Sequence, residues 1–121
     1  MRRTLAAATA VLAVLALATA CGDEEQPSND GTAKPKVIAV TFEGDSVDPS
    51  GERVEVTRGQ DIRLDVTAEE AGEIHVHSTP EQELAYREGE STVTITGIDQ
   101  PGTVDVESHS LDQVIVQLEV R

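Results

Sequence analysis

The sequence predicts an all-β sandwich of seven or eight short strands, and three observations point there. Beyond residue 36 apolar and polar residues alternate with period two, and glycine or proline turns separate the alternating runs. Helical periodicity is absent from this region. Aromatic residues are almost missing, with only Phe42 and Tyr86, so the core must be built from Val, Ile and Leu. About 85 residues can bury such a core with modest stability.

The elements follow in order. Val37–Phe42 reads as a first strand, closed by Gly44 and the Pro49-Ser50-Gly51 turn. Arg53–Thr57 alternates and ends at Arg58-Gly59. Asp61–Thr67 places Ile62, Leu64 and Val66 on one face, and Glu73–Ser78 places Ile74 and Val76 inward. Leu84–Arg87 is a short segment before Glu88-Gly89. Thr92–Thr96 buries Val93 and Ile95, and after Pro101-Gly102 the run Thr103–Ser108 buries Val104 and Val106. Gln113–Val120 closes the series with Val114, Val116, Leu118 and Val120 inward. Seven or eight strands with this spacing fit two packed sheets.

The first twenty residues differ from all that follows. Arg2 and Arg3 begin the chain, and Leu5–Ala20 is Ala, Leu and Val interrupted by Thr9 and Thr19. A charged start, an apolar middle and a small-residue exit form a secretory signal, expected over residues 1–20. The run falls short of the about 20 apolar residues that a spanning helix needs. Its exit, Leu17-Ala18-Thr19-Ala20-Cys21-Gly22, resembles the lipobox of bacterial lipoproteins, with the usual Leu one place early. That resemblance implies diacylglyceryl attachment at Cys21 and cleavage before it. Two other outcomes are consistent with the same residues: cleavage leaving a free thiol, or retention of the segment as an anchor. The sole cysteine favours lipidation, because an odd cysteine in an exported chain otherwise lacks a use. Lasting attachment needs more than one acyl chain, which a lipoprotein of this kind carries. The expected location is therefore the extracytoplasmic face of the cell membrane.

Residues 21–36 read as the lipidated cysteine and a linker, polar and proline-containing with almost nothing to bury. As a flexible coil it would span roughly 20 Å. The sandwich is expected over 37–121. The mature chain would carry a net charge of −16, seven Lys and Arg against 23 Asp and Glu. Nucleic-acid binding is excluded on that ground, since phosphate contacts need a basic patch. With Cys21 committed to lipid, no disulfide forms even in an oxidising compartment.

Two segments carry a family resemblance. Pro101-Gly102-Thr103-Val104-Asp105-Val106-Glu107-Ser108 looks like the end of a cupredoxin domain, where Pro-Gly-x-aromatic-x-aromatic-x-Cys leads into the copper loop. Glu73-Ile74-His75-Val76-His77-Ser78 resembles the segment bearing the family's first histidine ligand. The resemblance implies a Greek-key, cupredoxin-like (Ig-like) sandwich over Val37–Arg121. A blue-copper site needs two histidines, a thiolate and usually a weak axial ligand such as Met. Here Ser108 stands where the family has Cys, the second histidine position falls near Leu111, and the sole Met is Met1. The copper loop looks shortened as well. A type-1 electron-transfer centre is therefore not expected.

The chain's three histidines, His75, His77 and His109, all lie in or beside these two segments. If the strands around 73–78 and 103–109 pair antiparallel, His75 and His109 come within direct or diagonal cross-strand reach. Glu73, Asp105 and Glu107 share their face, and imidazoles with carboxylates suit Cu(II) or Zn(II). The inward placement of Ile74, Val76, Val104 and Val106 turns all three histidines outward, where a solvated sheet face carries them without any function. The expected function is a lipid-anchored binding module, with a divalent metal at His75, His77 and His109 as one reading. The other is a metal-free module that docks an envelope protein. Catalysis is not expected: no Gly-x-Ser-x-Gly nucleophile elbow accompanies Ser78, Ser108 or Ser110.

Overall fold

The computed structural model describes residues 33–121, and nine strands follow one another there without a helix. The signal at 1–20, Cys21 and most of the linker lie outside the described residues. Among the described residues no helix is long and apolar enough to cross a membrane. The strands are β1 (Lys36–Glu43), β2 (Ser46–Asp48), β3 (Glu52–Val56), β4 (Ile62–Ala68), β5 (Gly72–Val76), β6 (Gln82–Tyr86), β7 (Gly89–Ile95), β8 (Gly102–Ser108) and β9 (Gln113–Val120). They form a four-stranded sheet of order β2-β1-β4-β7 and a five-stranded sheet of order β3-β9-β8-β5-β6. Two pairs, β1 with β4 and β3 with β9, are parallel; the others are antiparallel.

Period-two burial produces this arrangement directly. In β4, Ile62, Leu64, Val66 and Ala68 are buried while Arg63 and Thr67 are exposed. From the facing sheet, Ile74, Val76, Val106 and Leu118 are fully buried against them. One core cluster therefore runs between the two sheets, built almost wholly from aliphatic side chains. Its aromatic contribution is a single stacked pair, Phe42 and Tyr86, with ring centroids 4.7 Å apart and planes 9° from parallel.

The structure corrects the sequence reading in two places. The strand count is nine, because Ser46–Asp48 forms a short edge strand on β1. Val47, its only apolar residue, is 5% exposed and plugs the core, yet one apolar residue cannot produce an alternating pattern. In β9 the inward residue is Ile115, fully buried, and Val114 is only half-buried. A β-bulge is the cause: Val106 pairs with Val116, but Glu107 pairs with Val114, which leaves Ile115 unpaired. The extra residue reverses the facing of what precedes it. The displaced carbonyls of Val114 and Ile115 both accept from the Gly51 N–H, at 2.9 and 3.0 Å, and Gly51 reaches them with φ of 77°.

A second glycine is fixed by close approach. Gly97 lies against the backbone of Gly59, where a Cβ on Gly97 would sit 2.9 Å from the Gly59 Cα. The two segments are tied by the Gly59 N–H donating to the Ile98 carbonyl at 3.0 Å. The Gly97 N–H donates to Asp61 Oδ1 at 2.8 Å. Backbone cannot yield as a side-chain tip can. Gly97→Ala is expected to destabilise the domain by about 1–3 kcal/mol, read as a lowered urea midpoint at unchanged slope.

Candidate functional site

The outer face of the five-stranded sheet carries the histidines, and strand register sets their neighbours. His75 on β5 lies opposite Glu107 on β8 and opposite Glu83 on β6. His77 follows at the end of β5, its N–H donating to the Asp105 carbonyl at 2.9 Å. Alternation puts both imidazoles on the solvent side, and their rings lie 4.7 Å apart at a 30° tilt. Glu81, in the β5–β6 turn, stands between them. Its Oε2 is 3.3 Å from His75 Nε2 and its Oε1 is 3.8 Å from His77 Nδ1. The other nitrogen of His77, Nε2, is 2.9 Å from Glu107 Oε2, and Glu83 Oε1 is 4.0 Å from His75 Nε2.

His109 stands apart from this group. Its N–H donates to the Glu73 carbonyl at 3.1 Å, so it occupies the far end of the β5–β8 pairing. Four residues, roughly 13 Å of strand, separate its level from that of His77. With respect to His75 it is a diagonal neighbour, about 7–8 Å away. The structure thus unites His75 with His77 and leaves the exposed His109 outside. Among the described residues, no group of three or more His, Cys, Asp or Glu side chains is arranged to hold a metal ion. The carboxylates that complete the cluster, Glu81 and Glu83, escaped the sequence reading. Their signal is the hairpin register that sets β6 on the side of β5 away from β8.

A second feature lies at one end of the sandwich, where the β1–β2, β4–β5 and β8–β9 connections meet. A cavity of about 480 Å³ opens there, lined by Phe42, Asp45, Glu69, Glu70, Tyr86 and Leu111, with Gly44, Ala71 and Ser110 completing the wall. Ser108, 1% exposed, lies beneath. Its hydroxyl is 3.3 Å from that of Ser110 and accepts from the Leu111 N–H at 3.3 Å. Burial holds the phenol of Tyr86 above the ordinary tyrosine value of 10.0, and the neighbouring Ser110 side chain acts in the opposite sense. The folded state retains that proton longer than the unfolded chain, so Tyr86 favours folding below about pH 10 and loses that contribution as the pH rises. Ser78 is engaged elsewhere, its hydroxyl donating to the Pro80 carbonyl at 2.7 Å. Among the described residues no serine hydroxyl is hydrogen-bonded to a histidine.

Comparison with solved structures decides the fold family. The Cu(I) form of a Met-to-Ala variant of amicyanin superposes with a TM-score of 0.52 at 11% identity, covering 78% of this chain and 87% of that one. A reduced Trp-to-Tyr variant of amicyanin gives a TM-score of 0.52 at 11% identity, covering 78% and 95%. The sandwich has a cupredoxin-like fold. At such identity the likeness is one of fold alone, and the copper belongs to those proteins. No family model matches the sequence, and no curated protein matches it. The cupredoxin-like architecture expected from Pro101-Gly102 and the Glu73–Ser78 segment is thus present, with β5 and β8 side by side as that expectation required.

Proposed function

We propose that this chain is a lipid-anchored binding module of the extracytoplasmic membrane face, carried by Cys21, and neither an electron carrier nor an enzyme. One feature supports the reading: at Ser108, where the family resemblance would put a thiolate, this chain has a hydroxyl that is already engaged. The Ser108 hydroxyl is occupied by Ser110 and the Leu111 N–H, and its neighbour across the strand pair is the aliphatic Ile74. A hydroxyl is a poor ligand for copper beside a thiolate, and Leu111 offers no donor where a second imidazole would be needed. These residues do not fit a type-1 copper ion. The fold then serves as a rigid scaffold that presents its faces to ligands.

A second reading rests on Glu81. Metal-binding histidines commonly give one ring N–H to a carboxylate and ligate through the other nitrogen. With His77 Nε2–H donated to Glu107, His77 Nδ1 and His75 Nε2 both border Glu81. Under this reading His75, His77 and Glu81 would have to rearrange to hold a Cu(II) or Zn(II) ion, with His109 excluded.

One titration addresses both readings. Adding Cu(II) or Zn(II) to the lipid-bearing chain is expected to produce no intense blue thiolate-to-copper absorption. A blue band would overturn the assignment as a non-redox module. An affinity, read by calorimetry, that falls about tenfold or more in His77→Ala and stays unchanged in His109→Ala supports the Glu81 trio. Equal loss in His109→Ala refutes it. If no metal binds, docking of an envelope protein is the remaining form of the module, and crosslinking from membranes should then persist in the triple His→Ala variant.

A further inference from the structure

We propose that the free edge of β7 is a self-association surface, where a second copy of this chain adds its own β7 antiparallel about a two-fold axis at Thr92. The proposal goes beyond the binding-module reading, and lipid anchoring enters it only as a source of local concentration.

Backbone direction shows which groups the edge offers. Lys36 donates its N–H to the Asp61 carbonyl at 2.9 Å. Alternate residues of a strand bond to the same neighbour, so Arg63, Asp65 and Thr67 also turn their backbone groups to β1. Ile62, Leu64, Val66 and Ala68 turn theirs the other way, to Ile95, Val93, Ser91 and Gly89 of β7. Glu90, Thr92 and Thr94 therefore aim N–H and C=O out of the sheet, on the side where β7 has no strand neighbour. Thr96, next in the same row, shows what this edge accepts. Its N–H donates to Gln82 Oε1 at 2.8 Å, and Gln82 Nε2 donates to its carbonyl at 3.0 Å. A side-chain amide thus pairs with Thr96 as a neighbouring strand would. Glu90, Thr92 and Thr94 extend the row with the same groups, which have no backbone partner among the described residues.

The other three edges are poorer. Strand β2 has three residues. Strand β3 has five and exposes Arg53 and Glu55, and β6 has five, follows Pro80 and exposes Glu83. Strand β7 has seven, with no proline, lysine or bulge to blunt it, the kind of edge on which strand addition occurs.

Side-chain chemistry selects a second copy as the occupant. Pairing centred on Thr92 sets it against the partner's Thr92 and sets Glu90 against the partner's Thr94, with the roles exchanged across the axis. Each opposed pair exchanges both N–H···O bonds. Glu90, Thr92 and Thr94 are exposed on one face, so the one charged side chain among them meets a threonine and not its own kind. Within its sheet Thr94 is paired with Arg63. The partner's Glu90 then lies two strand spacings, about 9.6 Å, from Arg63, with only the short Thr94 between them. An arginine and a glutamate together span that gap, and Arg63 is otherwise matched by the half-exposed Asp65 of its own strand. The linker of the same chain fits worse, since residues 22–32 hold Pro27 and four carboxylates, types depleted in strands. One strand pair covers less surface than a standard stable interface. The contact is therefore weak in dilute solution and is favoured where anchors hold copies on one membrane.

Cys21 is the sole cysteine and is committed to lipid in the proposed module, so Thr92→Cys places a single free thiol on the axis. Opposed residues of such a pair have Cα atoms about 5.5 Å apart, within disulfide reach. The full lipid-bearing chain with Thr92→Cys is reconstituted in liposomes of neutral phospholipid, checked for attachment by flotation, oxidised mildly and resolved on a non-reducing gel. A disulfide-linked homodimer is expected from Thr92→Cys and not from Thr67→Cys, which lies one strand further from the axis. Adding Thr94→Glu opposes like charges twice per dimer and should slow disulfide formation about fivefold or more. Combining Thr94→Glu with Glu90→Lys should restore it, a recovery that a misfolded chain would not show. Absence of the dimer from floated liposomes, equal linkage through Thr67→Cys, or indifference to Thr94→Glu would overturn the proposal. So would a homodimer that forms only after deletion of residues 23–32, which would give the edge to the linker. Linkage in native membranes to another polypeptide, with no homodimer in liposomes, would give it to a foreign strand and overturn the proposal as well. If flotation fails, the lipid anchor is refuted separately. The same chain is then oxidised in solution at about 1 mM, where absence of the Thr92→Cys homodimer overturns the self-association.

Discussion

Leu64→Ala is expected to lower the stability of the sandwich by about 2–5 kcal/mol. Leu64 is fully buried at the middle of β4, which is flanked by β1 and β7, pairing there with Ile38 and Val93. Truncation removes transfer energy and leaves a void that neighbouring aliphatic side chains fill poorly, because strands on both sides fix the backbone. A domain of this size has a total stability of about 4–13 kcal/mol, so the variant approaches the unfolding threshold. Thermal melts followed by far-UV circular dichroism should show a midpoint lower by about 10 °C or more. The half-buried Leu84 on edge strand β6 provides the comparison, and Leu84→Ala should cost distinctly less. Equal losses at the two positions would contradict a core centred between the sheets.

Under the proposed lipid anchor, Cys21→Ser is expected to have the largest cellular effect. A hydroxyl cannot form the thioether to diacylglycerol, and each buried acyl CH₂ contributes about 0.8 kcal/mol to membrane attachment. The wild-type chain is expected in the detergent phase on Triton X-114 partition, and the variant in the aqueous phase or accumulated as uncleaved precursor. A wild-type chain already in the aqueous phase would indicate a free thiol after Ala20. A variant that keeps full membrane association at precursor size would indicate an uncleaved anchor. Mass spectrometry of the N-terminal peptide separates these outcomes.

Much of the sandwich was legible because alternation is a local signal that burial enforces. Ile62, Leu64 and Val66 read as one face, and burial on that face defines the strand. The misses share a different physics. Simple alternation back from Val116 turns Val114 inward, and the bulge that breaks it depends on the partner strand as much as on β9's own residues. Strand β2 depends on β1 for its identity, since Val47 alone has no period. The histidine cluster shows the same limit. Outward facing of His75 and His77 followed from Ile74 and Val76, but their carboxylate partners come from the β5–β6 turn, whose geometry no pattern in Thr79–Gln82 specifies. His109 lies beyond the last β8 residue, where period-two extrapolation no longer fixes position. The cavity was invisible for a similar reason: Phe42, Glu69, Glu70, Tyr86 and Leu111 are scattered through the sequence and meet only because three turns share one end of the sandwich.

The parallel pairing of β3 with β9 has a consequence for the order in which the molecule can be completed. Glu52 is partnered by Val116 and Val56 by Val120, and β3 has no other neighbour in its sheet. A chain delivered from its N-terminus therefore carries β3 as an orphan until its final residues arrive. β9 also brings Ile115, Val116, Leu118 and Val120 into the core at that last moment. Topologies dominated by such distant partners fold in milliseconds to seconds, while synthesis at about 5–20 residues per second sets the slower clock. The sandwich thus closes as a late event, once β9 has arrived between β3 and β8.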